Sequence, residues 1–448
     1  MCIRDSPNEV FVQDWLLNYD RPCPGGWSWY FPNLTAIDCW ENSAANPVSF
    51  SALTVQELPS VKLTGTVVGP SDEIVMTTAS GQASAVAIPD PLLLSNKWTD
   101  AQWGIFGDAG GGEAIFYPGT TLTARTTLTN GTTLAPVCEP ENFTGETNNL
   151  NLSTPAIGSH PPTLLSTQTN NPTTVQPSCA AARGIGDTHL KTFRNTLYDF
   201  QASGDFELAT TGPGFTVENR QVSGAPAWPN AAVNQAVGAR VGTSDVAVCT
   251  VPTRLMINNR PVHLANRGQT SLPGGGEVSL TGNVYLIQDP AGDSVTATVN
   301  TGNPDWIDAS INLLHWPATL HGLLANARNS TNALQARNGT VLTAPFNFNA
   351  FYSLYGNSWR VPASQSLLSA CGTKVTSGNP RNVFYSGNLP KKLAGTARAQ
   401  CLAAGVHAAP LLDACTVDVA VLGRNAAQVY RNMPANVTGG KITPPTAG

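Results

Sequence analysis

Apolar side chains recur at every second position over long stretches of this chain. Phe215-Thr-Val217-Glu-Asn-Arg-Gln-Val222, Ala232-Val233-Asn-Gln-Ala-Val237-Gly-Ala-Arg-Val241 and Asp245-Val246-Ala-Val248 all carry this alternation. Successive side chains of an extended chain point to opposite faces, so a period of two makes one apolar and one polar face, the pattern of a half-buried antiparallel strand. Shorter runs of the same kind precede them: Val61-Lys-Leu63-Thr-Gly-Thr-Val67-Val68, Glu73-Ile74-Val75-Met76-Thr, Ala114-Ile115-Phe116-Tyr117 and Thr121-Leu122-Thr-Ala-Arg-Thr-Thr127, separated by Gly, Pro and Asn. Many short strands between turn signals predict a mainly β protein, with a β-sandwich over residues 7–153. The Pro-, Thr- and Asn-rich stretch that follows has no periodicity, and residues 154–182 read as a linker.

The nine cysteines form no Cys-x-x-Cys pair, which argues against zinc-ribbon and thioredoxin-like chemistry. Their scatter through β-rich sequence of low charge suits an oxidised, secreted or cell-surface protein. Charged residues are 12% of the chain, against about 25% in an average soluble protein, so neutral polar residues cover the surface. The net charge of −5 comes with no basic stripe, and the electrostatic footprint of nucleic-acid binding is missing. No apolar run approaches the roughly 18–20 residues of a membrane span. Residues 1–6 read as a non-native leader. Without Cys2, eight cysteines remain and can pair completely.

The most specific motif is Gly186-Asp187-Thr188-His189-Leu-Lys-Thr192-Phe193, followed by Tyr198-Asp199-Phe200-Gln-Ala-Ser-Gly204-Asp205-Phe206-Glu-Leu208. Its order and spacing resemble the opening of a von Willebrand factor type D domain: Gly-Asp-x-His, then Thr-Phe-Asp-Gly, then Tyr-x-Phe-x-x-x-Gly and an apolar strand. Val233-Asn-Gln-Ala236-Val237 and Arg240-Val241-Gly242 are also similar to that family. The resemblance implies a β-rich domain over 183–345. Tyr355-Gly-Asn-Ser-Trp359-Arg-Val361 with Cys371, Cys401 and Cys415 resembles the short helical, cysteine-bearing region that follows such domains, placing a helical cap over 346–432. Within it, Thr396 to Ala404 is helix-like and ends at Gly405, and Leu411, Cys415, Val419, Leu422, Ala426 and Val429 recur at helical spacing. Residues 433–448, with Pro434, Pro444 and Pro445, predict a disordered tail.

The resemblance also implies an ion site, in which the Thr-Phe-Asp-Gly aspartate and a later Gly-Asn-x-Asp/Asn loop give oxygens to calcium. The matching positions here are Thr192-Phe193-Arg194-Asn195 and Leu324-Ala325-Asn326-Ala327-Arg328-Asn329. Two ligand positions thus carry Arg194 and Arg328, and a guanidinium offers calcium no acceptor. Asn326, Asn329 and Asn332 remain as neutral oxygens, with Asp187 as a fallback ligand. The expectation is a degenerate site that holds no metal. Some relatives cleave themselves at Asp-Pro in the first motif. Position 188 is Thr, so Asp187 and His189 are expected to hydrogen-bond the first strand in place.

No Gly-x-Ser-x-Gly elbow, protease cysteine signature or His-Glu-x-x-His is present, and the expectation is a chain without catalytic residues or cofactor. The glycine-rich stretch Gly107 to Glu113 lies between strand-like runs and reads as a hairpin loop. Trp27, Trp29, Tyr30 and Trp40 form an aromatic cluster, mostly inside the Cys23 to Cys39 interval. They are candidates for glycan or protein binding, against the ordinary alternative of core and rim packing. For the bridges, a short Pro- and Gly-rich loop favours Cys23–Cys39. Cys179–Cys249 comes next, then two of Cys371, Cys401 and Cys415, with the third reaching Cys138. The expected function is a non-catalytic extracellular binding or structural protein with a protein or glycan partner. The alternative is an extracellular hydrolase or carbohydrate-binding protein with its site in residues 7–153.

Overall fold

The computed structural model describes residues 9–445 apart from 17–21, 34–35, 45, 48–53, 55, 70, 88–112, 130–146, 153–155, 160–161, 171–177, 224–227, 229, 252–253, 317, 328–329, 431–432 and 434–436. The protein is mainly β with a small C-terminal helical region. The chain divides into two compact units, one of residues 1–114 with 145–148 and the other of 115–144 with 149–448.

In the first unit the alternating runs pair as small antiparallel sheets. Lys62–Val68, Ser71–Thr77 and Gln82–Ala87 form one three-stranded meander. Gln13–Leu16, Ala36–Asn42 and Ser28–Asn33 form another. Val10, Met76, Ala83 and Ala85 make a small buried core.

The second unit is built on two larger sheets. Gly204–Gly212, Phe215–Ser223, Ala232–Val241, Ser244–Cys249, Leu255–Ile257 and Arg260–Val262 follow one another as a six-stranded antiparallel meander. The nine-stranded sheet runs in the order Gln269–Ser271, Glu277–Thr281, Val284–Gln288, Ser294–Asn300, Trp306–Trp316, Ser178–Ile185, His189–Lys191, Thr196–Asp199 and Thr438–Gly439. Val217, Val237 and Val246 of one sheet share a single apolar core with Val278, Ile287 and Ile311 of the other. The period-two pattern therefore marks the inward faces. Tyr198, Phe200 and Phe206 of the motif region enter the same core and pack on Phe351, Tyr352 and Tyr355.

The helical region has two α-helices. α1 spans Lys391–Ala403 and ends before Gly405 at φ +87°, as its glycine signal predicts. α2 spans Ala409–Leu422 and stops at Gly423, whose φ of +98° suits glycine. The spacing from Leu411 to Val429 thus covers two elements, α2 and a 3-10 turn at Arg424–Tyr430. α2 is buried nearly all round, packing with α1, the 3-10 turn and Ile185, Leu197 and Trp306 of the β domain. Residues 357–385 are largely irregular rather than helical. They are held by a buried polar network. Arg220 meets Asp205 through two contacts of 2.7 and 2.8 Å, and Ser366 and the Leu367 backbone bond to Glu218.

Three expectations are corrected. The stretch 154–182 contains the strands Ala156–Ser159 and Pro162–Thr169 and the start of Ser178–Ile185. Thr side chains at 163, 167 and 169 face threonines of Thr121–Thr127 across a regular ladder, so β-branched residues outweigh the Pro and Asn content there. The C-terminal stretch is ordered at 437–445. Thr438–Gly439 adds a parallel strand to Thr196–Asp199, and Ile442, 3% exposed, enters the core. Gly440 lies where a Cβ would sit 3.0 Å from Phe346 and 3.2 Å from Tyr198, so the chain passes flat over those rings.

The bridges are corrected in part. Cys23–Cys39 and Cys401–Cys415 form, with Cα separations of 5.6 and 6.1 Å. Cys249 pairs with Cys371 rather than Cys179. Cys179 and Cys249 lie on strands of different sheets, whereas the 357–385 segment crosses beside Cys249. Cys179 is also disulfide-bonded, and every other described cysteine is paired elsewhere. Its partner thus lies outside the described residues, as do Cys138, the leader and most of the 107–113 loop.

Candidate functional site: a buried acid cluster at the helix–sheet junction

Ser178–Ile185 and His189–Lys191 form a hairpin in which Ile185 faces His189, and Gly186, Asp187 and Thr188 make the turn. Gly186 has φ +38° and Thr188 φ +43°, the left-handed region that L side chains rarely adopt. A Cβ on Gly186 would lie 2.5 Å from Asp418 Oδ2, so no other residue fits without displacing α2. The strained Thr188 is held from both ends: its hydroxyl donates to Ala232 O, and its carbonyl accepts from Phe200 N at 2.9 Å.

The turn points its backbone N–H groups at two carboxylates. Asp187 N donates to Asp418 Oδ1 at 2.7 Å, and Gly186 N donates to Asp308 Oδ1 at 3.0 Å. Asp187 Oδ1 accepts from Ala232 N at 3.0 Å. His189 stands between two acids. Its Nδ1 pairs closely with Asp199, directly opposite on the neighbouring strand, and its Nε2 is 3.5 Å from Asp418 Oδ1. Tyr430 donates to Asp418 Oδ2 at 2.5 Å. Asp308 Oδ2 accepts from Asn300 at 2.8 Å and from the Trp306 indole at 3.3 Å. Asp187, His189 and Asp418 are completely buried.

Such density of acids in a dry site reorganises their protons. Burial pushes the Asp187 carboxyl well above the usual range, with His189 opposing and Asp418 reinforcing. Burial, then the neighbouring Asp418, lifts Asp308 to about 7. Burial alone would pull His189 down, but Asp418 and Asp199 reverse this and hold it well above its ordinary value. Tyr430 is pushed far up by burial and by Asp418, so it stays a donor. Burial thus favours the neutral forms of Asp187 and Asp308, while the flanking Asp199 and Asp418 favour the charged form of His189. The cluster can hold and share protons, and it fastens α2 to the hairpin through one side chain. Asp418 gathers a backbone N–H, a phenol and an imidazolium from three separate elements.

The sequence singled out Asp187 and His189 but not Asp199, Asp308, Asp418 or Tyr430. One signal was available: Asp418 is an acid in the apolar run Val417-Asp-Val-Ala-Val-Leu422. An acid there must be paired or protonated.

The calcium-type residues behave differently. Arg194 stacks over Trp316 with 5.1 Å between guanidinium carbon and ring centre, and Trp316 stacks on Phe193. Asn326 donates its amide to Thr196 Oγ1 at 2.7 Å and Ala333 O at 3.3 Å, tying its loop to the Thr196–Asp199 strand. Asn332 accepts from Ser330 at 2.7 Å. Arg328 and Asn329 lie outside the described residues. Asn195 Oδ1, beside the Arg194 position, accepts from the buried Lys191 ammonium at 3.0 Å, which also donates to Ala181 O at 2.9 Å. The Lys191 ammonium thus occupies Asn195 Oδ1 and Ala181 O, while Asn326 Oδ1 is buried without a described hydrogen-bond partner.

In the first unit, Trp29 is 63% exposed, while Trp27 and Trp40 are half-buried. Trp40 faces Trp15, which sequence reasoning passed over, with ring centres 6.2 Å apart. Tyr30 lies in the adjoining strand Ser28–Asn33. Trp15 donates to Gln13 at 2.8 Å, and Gln13 donates to Asn42 at 2.9 Å, so an amide chain props the indole pair. No family model matches this chain, and no curated protein sequence matches it.

Proposed function

We propose that the chain is a non-catalytic extracellular binding and structural protein whose second unit is a von Willebrand factor type D module. The observation that carries this reading is the use made of Gly186-Asp187-Thr188-His189. The motif folds as a hairpin turn whose polar groups go to Ala232, Asp199, Asp308 and Asp418, joining two sheets and a helix. Three bridges, Cys23–Cys39, Cys249–Cys371 and Cys401–Cys415, support life in an oxidising compartment. Among the described residues no helix is long and apolar enough to cross a membrane. The test is to express the chain through an oxidising secretory route and apply it to arrays of glycans and matrix proteins, with a parallel panel of glycoside and peptide substrates. Saturable binding without turnover is expected. Turnover abolished by changing one carboxylate in residues 7–153 would replace this reading with the hydrolase alternative.

The propped Trp15–Trp40 pair favours a second reading, in which the first unit contributes carbohydrate binding. Flat aromatic faces beside amide groups suit the CH faces and hydroxyls of a sugar. Trp15→Ala should then remove the glycan-array signal of the full chain.

A further inference from the structure

A cavity of about 420 Å³ opens between the two sheets of the second unit. One wall is the edge hairpin Leu255–Ile257 and Arg260–Val262 of the six-stranded sheet, and the other is the hairpin Glu277–Thr281 and Val284–Gln288 of the nine-stranded sheet. Its size falls within the range of about 300–1,000 Å³ typical of small-molecule sites. Val262, Leu264 and Leu280 form an apolar floor that rests on the main core. Arg254, His263 and Tyr285 supply the polar lining, and no described carboxylate lines it.

Two of these groups have hydrogen bonds to spare. Tyr285 is 7% exposed and lines the opening, where its hydroxyl is not sealed from water and is joined to no described residue. Arg254 touches Asp305 through a single contact of 3.5 Å, whereas Arg220 and Arg240 each grip their aspartates through two contacts of 2.7–3.0 Å. Arg254 Nη1 has no acceptor, and the Arg254 side chain is 40% exposed, so the rest of its guanidinium is open to a ligand. A guanidinium fork half-used, a phenol unused and an apolar floor converge on one opening. Donors without acceptors call for an acceptor-rich ligand, and a guanidinium prefers a planar carboxylate to a neutral carbonyl.

We propose that this cavity binds a small organic carboxylate with an aromatic or aliphatic body, its carboxylate on Arg254 and Tyr285 and its body on Val262, Leu264 and Leu280. The site is separate from the buried acid cluster and does not depend on the family reading.

The experiment is saturation-transfer NMR on the full chain with benzoate as probe and benzamide as its neutral isostere. Benzoate should bind about tenfold more tightly than benzamide, the scale of one charge-assisted hydrogen bond. Inorganic phosphate, which cannot use the apolar floor, should not displace it. Tyr285→Phe should weaken benzoate several-fold, and Arg254→Met should erase the preference over benzamide. Arg240→Met, at an ion-paired arginine outside the cavity, should change neither. Equal affinity of benzoate and benzamide for the unmodified chain would overturn the proposal. So would benzoate binding that survives both cavity substitutions. Should Arg254→Met not fold, the ratio in the unmodified chain and the conservative Tyr285→Phe decide the matter.

Discussion

Replacing Asp418 tests whether the acid cluster fastens α2 to the β domain. Its carboxylate accepts from Asp187 N at 2.7 Å and Tyr430 at 2.5 Å and lies 3.5 Å from the His189 imidazole, with no exposure to water. Asp418→Ala leaves a buried N–H and a buried phenol without an acceptor and removes one of two counter-charges of His189. Each hydrogen bond to a charged group contributes about 1.5–3 kcal/mol, and breaking a buried pair from one side costs about 3–5 kcal/mol. The two figures describe overlapping losses, so the expected destabilisation is about 3–5 kcal/mol rather than their sum. Asp418→Asn separates charge from shape. Its amide oxygen can still accept from Asp187 N, but its nitrogen can only donate to the Tyr430 oxygen, so the charge and the acceptor of the Tyr430 hydroxyl are lost while the shape is kept. We expect it to cost about half as much, in keeping with charged hydrogen bonds being roughly twice as strong as neutral ones. The assay is urea unfolding of the full chain followed by fluorescence. Trp306, 1% exposed and bonded to Asp308, reports from within the cluster. If both variants unfold within about 0.5 kcal/mol of the parent, the change of an ordinary surface site, the cluster does not fasten the helix.

Three further outcomes follow from the same geometry. Asp308 and Glu218, both lifted to about 7 by burial, bind protons more tightly folded than unfolded, and so do Asp187 and His189. The stability these groups contribute should therefore be complete below about pH 4 and be lost as pH rises through about 7, with a shallower fall in Asp308→Asn; a melting temperature that climbs from pH 5 to 8 would contradict this. With Lys191 already on Asn195 Oδ1 and Ala181 O, millimolar calcium or a chelator should leave the melting temperature unchanged. An ion bound at 100 times its dissociation constant would add about 2.7 kcal/mol, a visible rise. Ile442→Ala should cost about 2–4 kcal/mol and speed hydrogen exchange along Thr196–Asp199, as the C-terminal strand lifts from that edge; exchange unchanged at 196–199 would mean the strand does not protect it.

The sequence by itself determined the strands of the second unit, because a period of two leaves little choice of face once one face is buried. Phe215–Ser223, Ala232–Val241 and Ser244–Cys249 fall where the alternation puts them. The stop of α1 before Gly405 was equally local, and so was the Cys23–Cys39 bridge, closed by a short loop. What depends on distant contacts was not legible. The Pro-rich C-terminal stretch looks coreless alone and becomes a strand only because Thr196–Asp199 offers an open edge and Phe346 an apolar surface. Cys249 finds Cys371 rather than Cys179 because the sheets separate one pair and the irregular 357–385 segment joins the other. The acid cluster is the clearest case. Asp187, His189, Asp199, Asp308 and Asp418 are spread over more than half the chain, and no spacing rule links them. Only the docking of α2 against the Gly186 turn brings these groups together, where burial raises Asp187 and Asp308 and the flanking acids raise His189.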